Sequence, residues 1–182
     1  MSNIVEMNHP IIDYYLSVIR NKDTNNRDFK KGAGEISKIL FYEASKKIST
    51  YEKEIETPVS NCRVKTFNEN DLLIVPILRA GLSMSEAIME VVPNAANGMI
   101  GLYRDSETKL PVEYMCKMPS DISSKKIFLV DPMLATGGSL NYAIKMLKER
   151  GARDITVLGI IASPEGIKKI EEENPDVDLY IA

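Results

Sequence analysis

The chain has 182 residues, 44% of them hydrophobic and 27% charged, with a net charge of -3. That length and balance suit one α/β domain with a buried core, and the acidic excess argues against a nucleic-acid partner, whose phosphates favour a basic surface. No apolar run approaches the roughly 20 residues needed to span a bilayer, and the start lacks the basic-then-apolar order of a leader, so a cytoplasmic protein with no membrane partner is expected.

The first fifty residues read as helical. Asn8-His9-Pro10 has the form of a helix start, and Ile12, Tyr15, Leu16 and Ile19 recur on one face. His9, the single histidine, fits a capping role better than a catalytic one, which would need a partner that the sequence does not show. Residues 20–26 are a polar break in which Lys22 and Asp23 suit a solvated turn. A second helix is expected from about Arg27 to Ile48, with Phe29, Ala33, Ile36, Leu40 and Ala44 on its buried stripe. Glu56 to Val59 reads as an edge segment. Cys62 and Cys116 are isolated, which favours reduced thiols over a disulfide or metal site.

Leu72 to Leu78 is an apolar run of the kind buried in a parallel sheet, and it ends at Arg79-Ala80-Gly81 before a helix carrying Met84, Ile88 and Val91. A cation at the carboxyl end of such a strand faces the ligand crevice of an open α/β sheet, although a surface ion pair is equally open to Arg79. Met99 to Tyr103 forms the next strand and runs into Arg104. The polar tip from Asp105 to Lys109 then separates it from Val112 to Met118, which can return antiparallel, so residues 104–118 read as a β-arm. The planar fork of Arg104 suits a diphosphate; pairing with Asp105 or Glu107 is the alternative. Tyr103 and Tyr114 read as packing residues.

Residues 126–140 carry the most chemistry. Ile127 to Val130 is a buried strand, Asp131 stands at its carboxyl edge, Ala135 to Ser139 is a small-residue loop, and Leu140, Ala143, Ile144 and Leu147 open a helix that Gly151 ends. Backbone N–H groups at such a helix start favour a phosphate, Thr136 and Ser139 add hydroxyl donors, and Gly137 and Gly138 permit close approach. A carboxylate such as Asp131 suits vicinal hydroxyls, so the pair points to a ligand with a ribose and a 5′-phosphate. The loop is neither a Walker sequence nor a dinucleotide fingerprint, and for Thr136 to Ser139 alone an ordinary turn is equally open. Ile155 to Ala162 is another strand, Ser163-Pro164-Glu165 caps a polar helix to about Asn174, and Val177 to Ile181 begins a last strand.

Val130 to Ser139 closely resembles the phosphoribosyl-pyrophosphate (PRPP) motif of uracil phosphoribosyltransferases. Asn8-His9-Pro10, Arg20 to Thr24, Glu56 to Val59, Val75 to Leu82, Gly101 to Asp105, Pro111 to Tyr114, Ala162 to Gly166 and Pro175 to Asp178 match the same family in its order. The resemblance implies a type I phosphoribosyltransferase-like fold: an open, mainly parallel sheet flanked by helices, with a helical region over 1–50, a β-arm over 104–118 and a PRPP-binding strand-loop-helix over 127–151. It implies synthesis of UMP and diphosphate from uracil and PRPP in pyrimidine salvage. PRPP contacts would fall on Arg79, Arg104, Asp131, Pro132, Met133, Leu134, Ala135, Thr136, Gly137, Gly138 and Ser139, with Asp131 and Arg104 catalytic. Strained backbone at Arg79, a non-proline cis peptide included, is a further expectation.

Mg²⁺ would ride on the PRPP diphosphate with no protein ligand assigned, because Asp131 is followed by Pro132 rather than by a second acid. A homodimer or larger homo-oligomer, with the arm as a contact, and a GTP effector are implied by some members. Family members also continue through a glycine-rich, uracil-reading segment with no counterpart after Ala182. A second expectation is therefore a catalytically silent PRPP-binding protein. A third, an RNA-binding regulator of pyrimidine genes, is disfavoured by the acidic composition.

Overall fold

The computed structural model describes residues 4–108 and 110–182; residues 1–3 of the expected N-terminal region and Lys109 of the expected arm tip lie outside the described residues. The elements in chain order are β1 (Ile4–Glu6), α1 (Pro10–Arg20), α2 (Asn26–Ala44), β2 (Tyr51–Glu56), β3 (Asn61–Thr66), β4 (Leu72–Leu78), α3 (Leu82–Val91), β5 (Ala96–Asn97), β6 (Met99–Arg104), β7 (Pro111–Lys117), β8 (Lys126–Leu134), α4 (Gly138–Glu149), β9 (Asp154–Ala162), α5 (Pro164–Glu173) and β10 (Asp178–Ile181). Eight strands build one sheet in the order β1-β10-β9-β8-β4-β6-β7, with β5 paired to β4. Its ladders are parallel except for β6 with β7.

The continuous apolar runs of the central strands hide a period of two. On β4, Leu73, Val75 and Ile77 face one side, where they meet Leu140, Ala143, Ile144 and Leu147 of α4 and Ile170 of α5. Leu72 and Ile74 face the other, against Ala33, Ile36, Leu40 and Phe41 of α2 and Met84 and Ile88 of α3. Helices therefore cover both faces, and each strand buries both of its sides.

The sheet divides where the ligand crevice lies. From Leu72 to Pro76, β4 pairs with β8, and at Ile77 and Leu78 its partner is β6. Beyond Val130, β8 continues beside β9 alone, from Asp131 opposite Gly159 to Leu134 opposite Ala162. The connection after β8 leads to β9 on one side and that after β4 to β5 and β6 on the other, so the gap between β4 and β8 is a topological switch point.

Four expectations are corrected. The first fifty residues are not all helical: Ile4 to Glu6 pairs in parallel with Leu179 to Ile181, and a three-residue segment is too short to show a period. α2 ends at Ala44 and a 3-10 turn follows; Phe29 is exposed because its turn extends past the packed stripe. Glu56 to Val59 is no edge segment. It closes β2 and enters the turn of an antiparallel β2–β3 hairpin, which escaped notice because Lys53 interrupts the short face that carries Tyr51, Ile55, Cys62 and Val64, and both strands stand largely exposed. Their register sets Glu52 opposite Lys65 and Glu54 opposite Arg63, cross-strand charge pairs on one face, and Ile55 opposite Cys62 on the other. Finally, β8 runs to Leu134 rather than Val130, so Asp131 lies within a strand, at the point where one neighbour has departed.

Candidate functional site

Two helices begin at the carboxyl ends of the strands that flank the switch point, and neither has a side-chain cap. Gly81 precedes α3 and Gly137 precedes α4, whereas α1, α2 and α5 are capped by the side chains of His9, Asn25 and Ser163. Uncapped first-turn N–H groups leave a helix start free to bind an anion. His9 accepts a hydrogen bond from the Ile11 N–H at 3.2 Å, the capping role that its place before Pro10 suggested.

Gly137 adopts φ +75, a left-handed conformation that favours glycine, and it turns the chain from the loop into α4. Gly138 is open: a methyl group there would meet nothing nearer than the Thr136 hydroxyl at 3.8 Å. Gly81 is demanded by packing. A Cβ at Gly81 would stand 2.5 Å from the Val130 carbonyl oxygen and 3.0 Å from the Ile77 nitrogen, so this glycine lets the end of β4 lie against β8.

A cavity of about 50 Å³ is lined by Arg104, Asp131 and residues 133–140. The structure thus brings Asp131 and Arg104 to the same small-residue loop, although they come from β8 and from the end of β6. Pro132 does not line that cavity and Arg79 does not either. Arg79 is exposed just after β4, and the peptide bond from Leu78 to Arg79 is cis. The exposed Arg104 guanidinium stands beside a turn that uses Asp105 internally: that carboxylate accepts hydrogen bonds from the Glu107 and Thr108 N–H groups and from the Thr108 hydroxyl.

Asp131 is partly buried, and desolvation pushes its carboxyl up to about 7, against a hydrogen bond from the Met133 backbone that favours the charged form. A carboxylate so placed gains when hydroxyl donors replace its lost water. Tyr103 and Tyr114 lie with ring centroids 6.4 Å apart and remain half exposed; the Tyr114 ring covers Gly101, where β6 and β7 slip register.

Sequence reasoning missed the contribution of α5 to the loop. The Ser163 hydroxyl accepts from the Gly166 N–H at 3.0 Å and donates to the Ala135 carbonyl, while the Ser163 N–H donates to the Leu134 carbonyl at 2.8 Å. The Ser-Pro-Glu string announced the cap but not the tie to residues 28 positions earlier. Behind α4 a second link runs from Lys148 Nζ to Asn174 Oδ1 at 3.1 Å and from Asn174 Nδ2 to Asn141 Oδ1 at 2.7 Å. Among the described residues, no group of three or more His, Cys, Asp or Glu side chains forms a metal-holding cluster, and no helix is long and apolar enough to cross a membrane.

Comparison with known proteins places this geometry in context. A family model described as uracil phosphoribosyltransferase matches residues 6–182. A uracil phosphoribosyltransferase of Clostridium botulinum is 50% identical over 182 residues, 100% of this chain and 87% of the relative. One of Wolinella succinogenes is 46% identical over 179 residues, 98% of this chain and 86% of the relative. Among solved structures, a protein from Aquifex aeolicus superposes with a TM-score of 0.92 at 38% identity, covering 98% of this chain and 85% of the other. An adenine phosphoribosyltransferase from Trypanosoma brucei, in complex with AMP, pyrophosphate and ribose-5-phosphate, reaches a TM-score of 0.63 at 12% identity over 100% of this chain and 84% of that one, a likeness of fold.

Proposed function

The chain belongs to the uracil phosphoribosyltransferase family, and we propose that it performs this family's transfer at the switch point between β4 and β8. The enzyme is a pentosyltransferase that makes UMP and diphosphate from uracil and PRPP in pyrimidine salvage. The observation that carries the site assignment is the shared cavity: one carboxylate, one guanidinium and a helix start without a side-chain cap line the same space, as a ribose, a diphosphate and a 5′-phosphate would require.

In this reading the bond from C1 of the ribose to the diphosphate oxygen breaks, and the diphosphate leaves with the bonding pair. A bond from C1 to the uracil ring nitrogen forms, and the proton of that nitrogen is released. Positive charge gathers on the sugar in between. Asp131 in its ionised form accepts from the ribose hydroxyls and faces that charge, and the loop from Ala135 to Ser139 holds the 5′-phosphate through N–H and hydroxyl donors. Arg104 pairs with the leaving diphosphate, and Arg79, outside the cavity, reaches the same group from the end of β4. Pro132, Met133 and Leu134 shape the wall. Asp131 is the only acid that lines the cavity among the described residues. A lone carboxylate fits Mg²⁺ that arrives on the diphosphate, where the ion would neutralise charge on the leaving group and draw its other ligands from phosphate oxygens and water.

Beyond the reaction, the reading extends to a cytoplasmic homo-oligomer. Its support is the β2–β3 hairpin, a two-stranded sheet outside the main ladder order with Tyr51 and Val59 exposed, since an isolated hairpin is marginal in water without something to pack on. A GTP effector rests on the family resemblance alone. The test is UMP formation from uracil, PRPP and Mg²⁺, with calorimetric PRPP binding on the same sample. Arg104→Ala and Arg79→Ala should each weaken PRPP binding by about 1.5–3 kcal/mol, the worth of a charge-assisted hydrogen bond. Absence of both turnover and PRPP binding in the unaltered chain would overturn the reading.

A further inference from the structure

We propose that Ser163 is a positioning residue for the phosphate loop: by donating its hydroxyl proton to the Ala135 carbonyl, it aims the Thr136 N–H at the phosphate of the bound ligand. The proposal rests on the reading of residues 135–139 as a phosphate cradle and adds a residue from outside it.

The ladder between β8 and β9 ends at Leu134 opposite Ala162. One rung further, the Ser163 N–H donates to the Leu134 carbonyl, and the Ser163 hydroxyl then reaches the next carbonyl, that of Ala135. A side chain thus extends the hydrogen-bonding of the sheet by one residue into the loop. The same hydroxyl oxygen accepts from the Gly166 N–H and so caps α5. A hydroxyl has one proton and two lone pairs, so both bonds form together.

The Ala135 carbonyl is also pressed against the first turn of α5, since a Cβ on Gly166 would stand 2.4 Å from its oxygen. In a planar trans peptide the carbonyl and the following N–H point in opposite directions, and the bond between Ala135 and Thr136 is not among the cis peptides. Holding the Ala135 oxygen toward α5 therefore turns the Thr136 N–H away from it. The cavity lies on that side: Thr136 lines it, and no residue of α5 does. Without the serine proton, the carbonyl would lose a partner and the peptide could rotate its N–H off the phosphate.

The capping and aiming roles separate by substitution. Ser163→Ala removes both, whereas Ser163→Gly removes the proton donor but keeps most of the cap, because glycine, unlike alanine, is well tolerated at a helix N-cap. Ser163→Thr keeps the hydroxyl. KM and kcat for both substrates, the PRPP dissociation constant and the melting temperature should be measured on the full chain. Ser163→Gly and Ser163→Ala should each raise the PRPP KM and dissociation constant about five- to tenfold, the worth of one hydrogen bond, with little change in uracil KM, and Ser163→Thr should restore the PRPP values. Wild-type PRPP binding in Ser163→Gly, with or without a loss in Ser163→Ala, would overturn the proposal, since any remaining effect would come from the cap. Asp131→Asn in the same assay keeps the two claims apart. PRPP binding indifferent to Asp131→Asn removes the site assignment, whereas a response to Asp131→Asn with none to Ser163→Gly removes only the role of Ser163.

Discussion

At the scale of single residues, Asp131 couples ligand affinity to pH in a direction opposite to its effect on stability. Its carboxyl titrates at about 7 in the folded chain and near 3.9 when unfolded. The folded state thus holds the proton more tightly, and the contribution of this group to stability is present below about pH 4 and lost as pH rises through 7. The ribose hydroxyls need the ionised form, so PRPP affinity should rise over the same interval. Calorimetry from pH 5.5 to 8.5 should show that rise in the wild type and a flatter profile in Asp131→Asn, the difference excluding the ligand's own ionisation. Two glycines make a second contrast. Gly81→Ala places a methyl group against the Val130 carbonyl and should cost about 1–3 kcal/mol or more in urea denaturation, as overpacking does. Gly138→Ala meets open space and should keep stability while lowering PRPP affinity, because the methyl group fills the path of the phosphate. Both were legible as glycines near a ligand; only coordinates distinguish the one that serves packing from the one that serves binding.

At the scale of elements, α4 and α5 are joined by a polar chain whose direction is fixed. Lysine only donates, so Lys148 sets the acceptor end of Asn174, which in turn donates to Asn141. Asn174→Ala would leave the buried Asn141 carboxamide without its acceptor-side partner and should destabilise the protein by about 1–3 kcal/mol, read from the urea midpoint. None of this was visible beforehand, since Asn174 read only as the end of a helix. The strands and helices around the site were legible because their apolar runs are long and end in cations, acids or glycine strings. The β2–β3 hairpin was not, because its apolar face is short, broken by Lys53 and left largely exposed, and β1 was not, because its three residues gain meaning only from β10.

At the scale of the whole molecule, the beginning and end of the described chain lie side by side, with β1 paired to β10. Long-range pairing of this kind makes the sheet depend on segments far apart in sequence. Removing residues 1–6 should bare the β10 edge and take away Ile4 and Val5, which pack beside the two core faces. A loss of about 2 kcal/mol is expected from two half-buried aliphatic side chains, together with a greater tendency to associate through the open edge. Thermal melts and light scattering would check both.

The parting of β4 from β8 makes the upper sheet a two-tined fork. One tine, β8 with β9, α4 and α5, carries the carboxylate and the phosphate loop; the other, β4 with β6 and β7, carries Arg79 and Arg104. The tines share a stem only from Leu72 to Pro76 beside Lys126 to Val130. A ligand with a phosphate at one end and a diphosphate at the other acts as a crosspiece between them, whereas ribose 5-phosphate grips one tine alone. PRPP should therefore slow amide hydrogen exchange at the tips of both β6 and β8, and ribose 5-phosphate only at β8, so that substrate and fragment differ in whether they brace the fork as well as in how tightly they bind.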